Sequence, residues 1–364
     1  MGQNKYKTNS LFTNNFRGSD ASMGVDEDDH GLALKVRSEE CEGGILRNTS
    51  NEGIQKMEQH RFKASTIHTS EYRDAYKYVE QYKLKNNTLR KSECRHSYTS
   101  MGVFYEDNLD LAWYCMKGLP RPCFTPKLLD ETLSWLRDLR NNSDLNHIKY
   151  LVVTSDTPEV FNLGGDLDLF CKLIRTRNRT GLLEYATACI KAVYQFHTGL
   201  DKDITTISLV QGDALGGGFE TAIAGEVLIA EKGSKMGMPE ILFNLFPGMG
   251  ALSLLSRKVG LAQAEKMILS GKVYSAQEMF ELGIVDVLVE KGEGKQAVYD
   301  YLKRESRARN GFRALRRAKR FCNPVSYEEL ESITSVWVDA ALELTAKDLR
   351  MMERLINKQT QKAG

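Results

Sequence analysis

Two glutamates, Glu220 and Glu240, stand 20 positions apart (240 − 220), the first behind a glycine turn and the second behind a proline. A pair of carboxylates, one ionised and one protonated, supplies the base and the acid that proton transfer at carbon and oxygen requires. Apolar neighbours, Phe219 beside the first and Ile241, Leu242 and Phe243 after the second, would raise a carboxyl pKa by excluding water. Each carboxylate alone has a plainer explanation. Glu220 in the first turn of a helix complements the helix dipole, and Glu240 after Pro239 suits a surface loop or an acidic first turn.

Three loops carry the candidate chemistry: Phe161-Asn162-Leu163-Gly164-Gly165-Asp166-Leu167, Gln211-Gly212-Asp213-Ala214-Leu215-Gly216-Gly217-Gly218-Phe219-Glu220, and Met236-Gly237-Met238-Pro239-Glu240. Each follows an apolar strand, and in parallel α/β folds the loops at the carboxyl ends of strands line the binding crevice. Gly216-Gly217-Gly218 is not followed by Gly-Lys-Ser/Thr, and no G-x-G-x-x-G has a suitable acidic partner, so a nucleotide phosphate is not the expected ligand. Glycine lets a backbone amide approach a ligand oxygen closely. Two such amides, one from each glycine loop, make an oxyanion hole for a thioester carbonyl; ordinary tight strand-to-helix turns would use the same glycines. The six histidines (30, 60, 68, 96, 147 and 197) lack metal spacing, and no G-x-S-x-G elbow is present, so no metal, no cofactor and no serine nucleophile are expected. His197, in a helical context, reads as a packing or capping residue.

These loops need a scaffold. Residues 1–95 are rich in Asn, Ser, Gly and charge, with an acidic knot at Asp26-Glu27-Asp28-Asp29, and are expected to form a partly disordered extension with a short helix carrying Tyr72, Ala75, Tyr76 and Val79. Strands are predicted over 109–116, 148–154, 204–211 and 227–230. A helix is predicted over 126–140 from Leu129, Leu133, Leu136 and Leu139. Strands apolar throughout imply a parallel sheet covered on both faces. Beyond Gly292 the chain reads as helical, with Leu330, Ile333, Trp337, Ala341 and Leu344 on one face, and the basic run Arg313 to Arg320 reads as a solvated helix face, with contact to an acidic carrier or a phosphate as the sharper alternative. The net charge of +2 on 364 residues creates no field that selects nucleic acid or a membrane surface. Seven cysteines without a C-x-x-C pair suit buried thiols in a reducing cytoplasm. No apolar run reaches the roughly 20 residues of a membrane span, and the expected location is cytoplasmic.

The order N-L-G-G-D-L, A-L-G-G-G-F-E, G-M-P-E resembles the crotonase (enoyl-CoA hydratase/isomerase) superfamily. More narrowly, VFNLGGDLDLFCKLI, LVQGDALGGGFE, MGMPEILFNLFPGMGA and ITSVWVDAALELTAKDLRMMERL are similar to the bacterial diffusible signal factor synthases. The resemblance covers roughly residues 100–364. It implies an α/β fold with a crotonase-like ββα spiral core (96–300) and a C-terminal helical capping and oligomerisation region (301–364), assembled as a homotrimer or hexamer. It implies Glu220 and Glu240 as the catalytic pair and Gly165 and Gly217 as the oxyanion donors. The implied substrate is a 3-hydroxyacyl chain on acyl carrier protein or CoA, dehydrated to a cis-2-enoyl thioester and hydrolysed to a free cis-2-unsaturated fatty acid for quorum sensing. A sensor histidine kinase is the implied protein partner. Leu163, Leu169, Phe243, Leu245, Phe246 and Met249 are candidate walls of the acyl pocket, with core packing an equal explanation for each. Residues 1–95 have no counterpart in the compact members. An ordinary enoyl-CoA hydratase or isomerase shares the fold and both glutamates, and a non-catalytic regulator binding a protein or RNA is the third reading.

Overall fold

A computed structural model describes residues 98–361; the expected N-terminal extension, its short helix and the boundary near residue 95 lie outside the described residues. The scaffold is a six-stranded sheet in the order β1 (Met101–Glu106), β2 (Leu111–Met116), β3 (Tyr150–Ser155), β5 (Thr205–Val210), β7 (Val227–Glu231) and β10 (Val287–Val289). All neighbours run parallel except the β1–β2 pair at one edge. The predicted strands coincide with β2, β3, β5 and β7, whose apolar runs are explained by burial on both faces. Alternate residues point opposite ways: Ala112, Tyr114, Leu151, Val153 and Leu228 face the main core, whereas Leu111, Trp113, Val152, Ile207 and Ile229 face a second core closed by Val298, Tyr301 and Leu302. β1 has no continuous apolar run because it is a half-exposed edge, which removes the signal that identified the others.

The main face is covered by α1 (Pro126–Asn141) and α3 (Arg179–His197), with α2 (Leu167–Arg175) between them in sequence. Thr125 caps α1 by accepting the Leu128 amide, and Pro126 occupies its first turn, where the missing N–H costs nothing.

A second sheet, β4 (Val160–Asn162), β6 (Asp213–Leu215), β8 (Lys235–Gly237) and β9 (Val273–Ser275), is absent from the sequence reading. Three-residue strands are too short to show a period, so the pieces of chain that read as loops are partly strand: Phe161 and Asn162, Asp213 to Leu215, and Met236 and Gly237. Each turn of the chain passes from a long strand of the first sheet to a short strand of the second. Because β4, β6 and β8 are parallel neighbours, their outgoing ends stand about 5 Å apart. That register brings the three functional segments together.

The C-terminal helices are α8 (Gly294–Ser306), which closes the second core and runs across residue 300, then α9 (Arg309–Cys322), α10 (Tyr327–Leu342) and α11 (Ala346–Gln361). On α10 the buried stripe is Leu330, Thr334, Trp337, Val338 and Ala341. Among the described residues no helix is long and apolar enough to cross a membrane.

Candidate active site

The segment leaving β4 is shaped by its own side chains. Asn162 Oδ1 accepts the Gly164 amide at 2.8 Å, and Asp166 caps α2 through the Leu169 amide while holding Arg121 at 2.8 Å. Gly164 has a φ of +96°, and a Cβ there would come within 3.0 Å of Leu215 O and 3.1 Å of Gly217 N. Only glycine allows the two loops to approach this closely. A Cβ on Gly217 would in turn lie 3.5 Å from the Gly165 nitrogen. The Gly165 and Gly217 amides thus sit side by side on partly exposed residues, and among the described residues neither has a hydrogen-bond acceptor. Gly217 opens α4 (Gly217–Ala224), where the first amides of a helix have no internal partner.

Glu220 lies in the first turn of α4 and is 1% exposed. Its Oε1 accepts the amides of Met249 (2.9 Å) and Ala251 (3.0 Å), at the start of α5 (Ala251–Val259). Burial pushes its pKa up to about 7 against the lowering effect of those two amides. Glu240 sits in the short 3-10 turn Pro239–Phe243. Its carboxylate lies over the glycine turn: a Cβ on Gly216, whose φ is +53°, would stand 2.5 Å from Glu240 Oε1. Although the residue as a whole is half-buried, Oε2 is sealed off with no hydrogen-bond partner among the described residues. Burial, and then the charge of Glu220, push its pKa up to about 8. Near neutrality the pair therefore holds one proton between them, Glu220 ionising first and its charge retaining the proton on Glu240.

The two glycines and Glu220 open on an apolar cavity between the sheet and the helices α1 and α3. Its walls are Leu129, Trp135 and Leu136 of α1, Leu151 and Val153 of β3, and Cys189, Ala192, Val193 and Phe196 of α3. Leu136 follows Leu129 by seven helical steps, so the lined length is about 10 Å. The hydroxyls that reach it are already engaged: Tyr114 bonds Thr132 at 2.7 Å, and Thr132 donates to Leu128 O at 2.6 Å. Of the six candidate wall residues only Met249 lines this cavity. Phe243 and Leu245 are buried in the main core, Leu169 and Phe246 pack half-buried against it, and the Leu163 amide is bonded to Pro122 O at 2.7 Å. Proximity in sequence to the Gly165 loop and to Glu240 selected those residues, whereas most of the walls come from α1, β3 and α3. Leu129 and Leu136 of the apolar stripe on α1 were the available signal, but a cavity wall and a packed core have the same helical period.

His197 does not line this cavity; its Nδ1 meets Ala224 O at 3.2 Å, and burial pushes its pKa down to about 4.

The enoyl-CoA hydratase/isomerase family model matches residues 118–317. A peroxisomal fatty acid beta-oxidation multifunctional protein of Arabidopsis thaliana is 30% identical over 46% of this chain and 22% of its own length. The mitochondrial methylglutaconyl-CoA hydratase of Rattus norvegicus is 29% identical over 42% of this chain and 46% of its own. The chain thus spans less than half the length of these curated relatives. In three dimensions it is similar to an enoyl-CoA hydratase from Bacillus halodurans, with a TM-score of 0.60 and 20% identity over 70% of this chain and 100% of that one. At that identity the likeness establishes the fold.

Proposed function

The chain belongs to the enoyl-CoA hydratase/isomerase family, the crotonase superfamily, and from that premise we propose that it is a diffusible signal factor synthase. In this reading it dehydrates a 3-hydroxyacyl thioester, carried on acyl carrier protein or CoA, and then hydrolyses the product to a free cis-2-unsaturated fatty acid. The observation that carries this reading is Glu220, buried at an apolar cavity beside two unpaired amides, with the Glu240 carboxylate over the same glycine turn and both carboxyl pKa values raised toward neutrality.

The thioester carbonyl accepts hydrogen bonds from the Gly165 and Gly217 amides, which stabilise the enolate-like charge as the ionised glutamate removes a C2 proton. The protonated glutamate donates to the 3-hydroxyl, which leaves as water. The pair then activates a water against the carbonyl; the C–S bond breaks, and the proton taken from water is returned to the departing thiol. The narrower assignment rests on the four similar strings, FNLFPGMGA among them. A homotrimer or hexamer and a sensor histidine kinase partner belong to the same reading and rest on the same resemblance.

The activities of the relatives favour a second reading, an ordinary enoyl-CoA hydratase that leaves the thioester intact. Incubation with 3-hydroxydodecanoyl-acyl carrier protein, followed by mass spectrometry, separates the two. A free 2-unsaturated C12 acid, absent with Glu220→Ala, supports the synthase. An enoyl thioester without free acid gives the hydratase.

A further inference from the structure

The Gly165 amide is only as useful as its placement is fixed, and one buried side chain outside the functional loops fixes it. Tyr185, on α3, directs its hydroxyl between the segment before α1 and the turn after Gly165. It donates to Phe124 O at 2.5 Å and accepts the Asp166 amide at 3.2 Å. Phe124 and Gly165 are paired as an isolated parallel bridge, whose other bond runs from the Phe124 amide to Gly164 O at 2.8 Å. The tyrosine oxygen therefore stands within the ladder, and Gly165 is held between a bond on each side. A Cβ on Gly165 would lie 3.6 Å from that oxygen. The ring is fixed as well: Phe170 packs edge-on against it at 5.1 Å and backs Gly165 from the same side.

We propose that Tyr185 is a positioning residue for the oxyanion hole, holding the Gly165 amide at the angle and distance the thioester carbonyl requires. The inference rests on the reading of Gly165 and Gly217 as carbonyl donors. Tyr185 is 6% exposed and is not among the residues lining the cavity, so it acts through the loop and not on the substrate. Its loss takes a donor from the Phe124 carbonyl and an acceptor from the Asp166 amide, and so loosens the backbone on both sides of the Gly165 amide.

The test is Tyr185→Phe, which keeps the ring and its packing. Turnover of 3-hydroxydodecanoyl-acyl carrier protein is expected to fall by about 10- to 100-fold in kcat, with KM within about threefold. Infrared difference spectra of bound trans-2-dodecenoyl-CoA, labelled with 13C at the carbonyl, should lose most of the low-frequency shift that the wild type imposes. A 3,5-difluorotyrosine at position 185 keeps the fold and weakens the oxygen as an acceptor, and should lose part of the shift whether or not Tyr185→Phe folds. A full wild-type shift in the difluorotyrosine protein, or in a folded Tyr185→Phe, overturns the inference alone. No shift in the wild type overturns the oxyanion reading, and this inference with it.

Discussion

At the scale of single residues, the two glutamates make a statement about pH that their neighbours sign. Both carboxyls are raised by burial, to about 7 and about 8, and Glu240 additionally by the Glu220 charge. Activity that needs one ionised and one protonated member should rise as pH passes about 7 and fall above about 8, giving a narrow bell in kcat/KM. Removing the Glu220 charge with Glu220→Gln should move the Glu240 pKa down, a change readable in the carboxyl band by infrared titration. An unmoved band would mean that the two groups are not coupled. The same burial has an opposite sign in stability. A carboxyl whose folded pKa lies above its unfolded value stabilises the fold least when ionised, so this penalty is absent below about pH 4 and complete above about pH 8. Glu240→Gln should therefore abolish turnover yet stabilise the protein at pH 9, raising the urea midpoint over wild type. The gain is on the order of a few kcal/mol, because each pH unit between the folded and unfolded pKa is worth about 1.4 kcal/mol. At pH 5 the gain should shrink to a fraction of that.

At the scale of elements, the site is a product of register. Glycine residues were legible as close-approach positions because no other side chain permits a φ of +96° at Gly164 with Leu215 O and Gly217 N against it. The glutamates were legible because they end those turns. The partners of Glu220 were not: Met249 and Ala251 amides arrive from a turn 29 and 31 residues later, and backbone donors carry no sequence signature. The cavity walls were not legible either, since Trp135, Val193 and Phe196 are what any buried helix face would contain. Their role can be tested by filling the space. Ala192→Phe, on the half-buried cavity wall of α3, should cut kcat/KM for a C12 substrate by tenfold or more while leaving a C4 substrate within about threefold. Equal losses on both would place the chain elsewhere.

Across the whole molecule, the last helices must be tied to a sheet whose strands are already saturated. α9 shows how this is done with charge. None of its residues is buried, and its sequence reads as a solvated basic face, yet one member of the run turns inward. The Arg316 side chain, 13% exposed, bonds Thr205 Oγ1 at 2.5 Å at the start of β5, Glu226 at 2.7 Å, and both oxygens of Glu305, which is 2% exposed. Arg317, one residue on, is exposed. The sequence places five cations within eight positions and gives no sign of which is which, because the acidic partners lie 11 and 90 residues away (316 − 305 and 316 − 226). Truncating Arg316 leaves two carboxylates together without their cation, Glu305 fully buried and Glu226 partly so. Breaking a buried pair from one side costs about 3–5 kcal/mol, and the partial exposure of Glu226 places this case toward the lower end. Urea unfolding should accordingly show Arg316→Ala destabilised by roughly 3 kcal/mol and Arg317→Ala within about 0.5 kcal/mol of wild type. The double variant Arg316→Met with Glu305→Gln should recover part of the loss, since replacing both partners of a buried pair costs less than orphaning one. Equal effects at 316 and 317 would mean that α9 is held by general electrostatics instead of by this anchor.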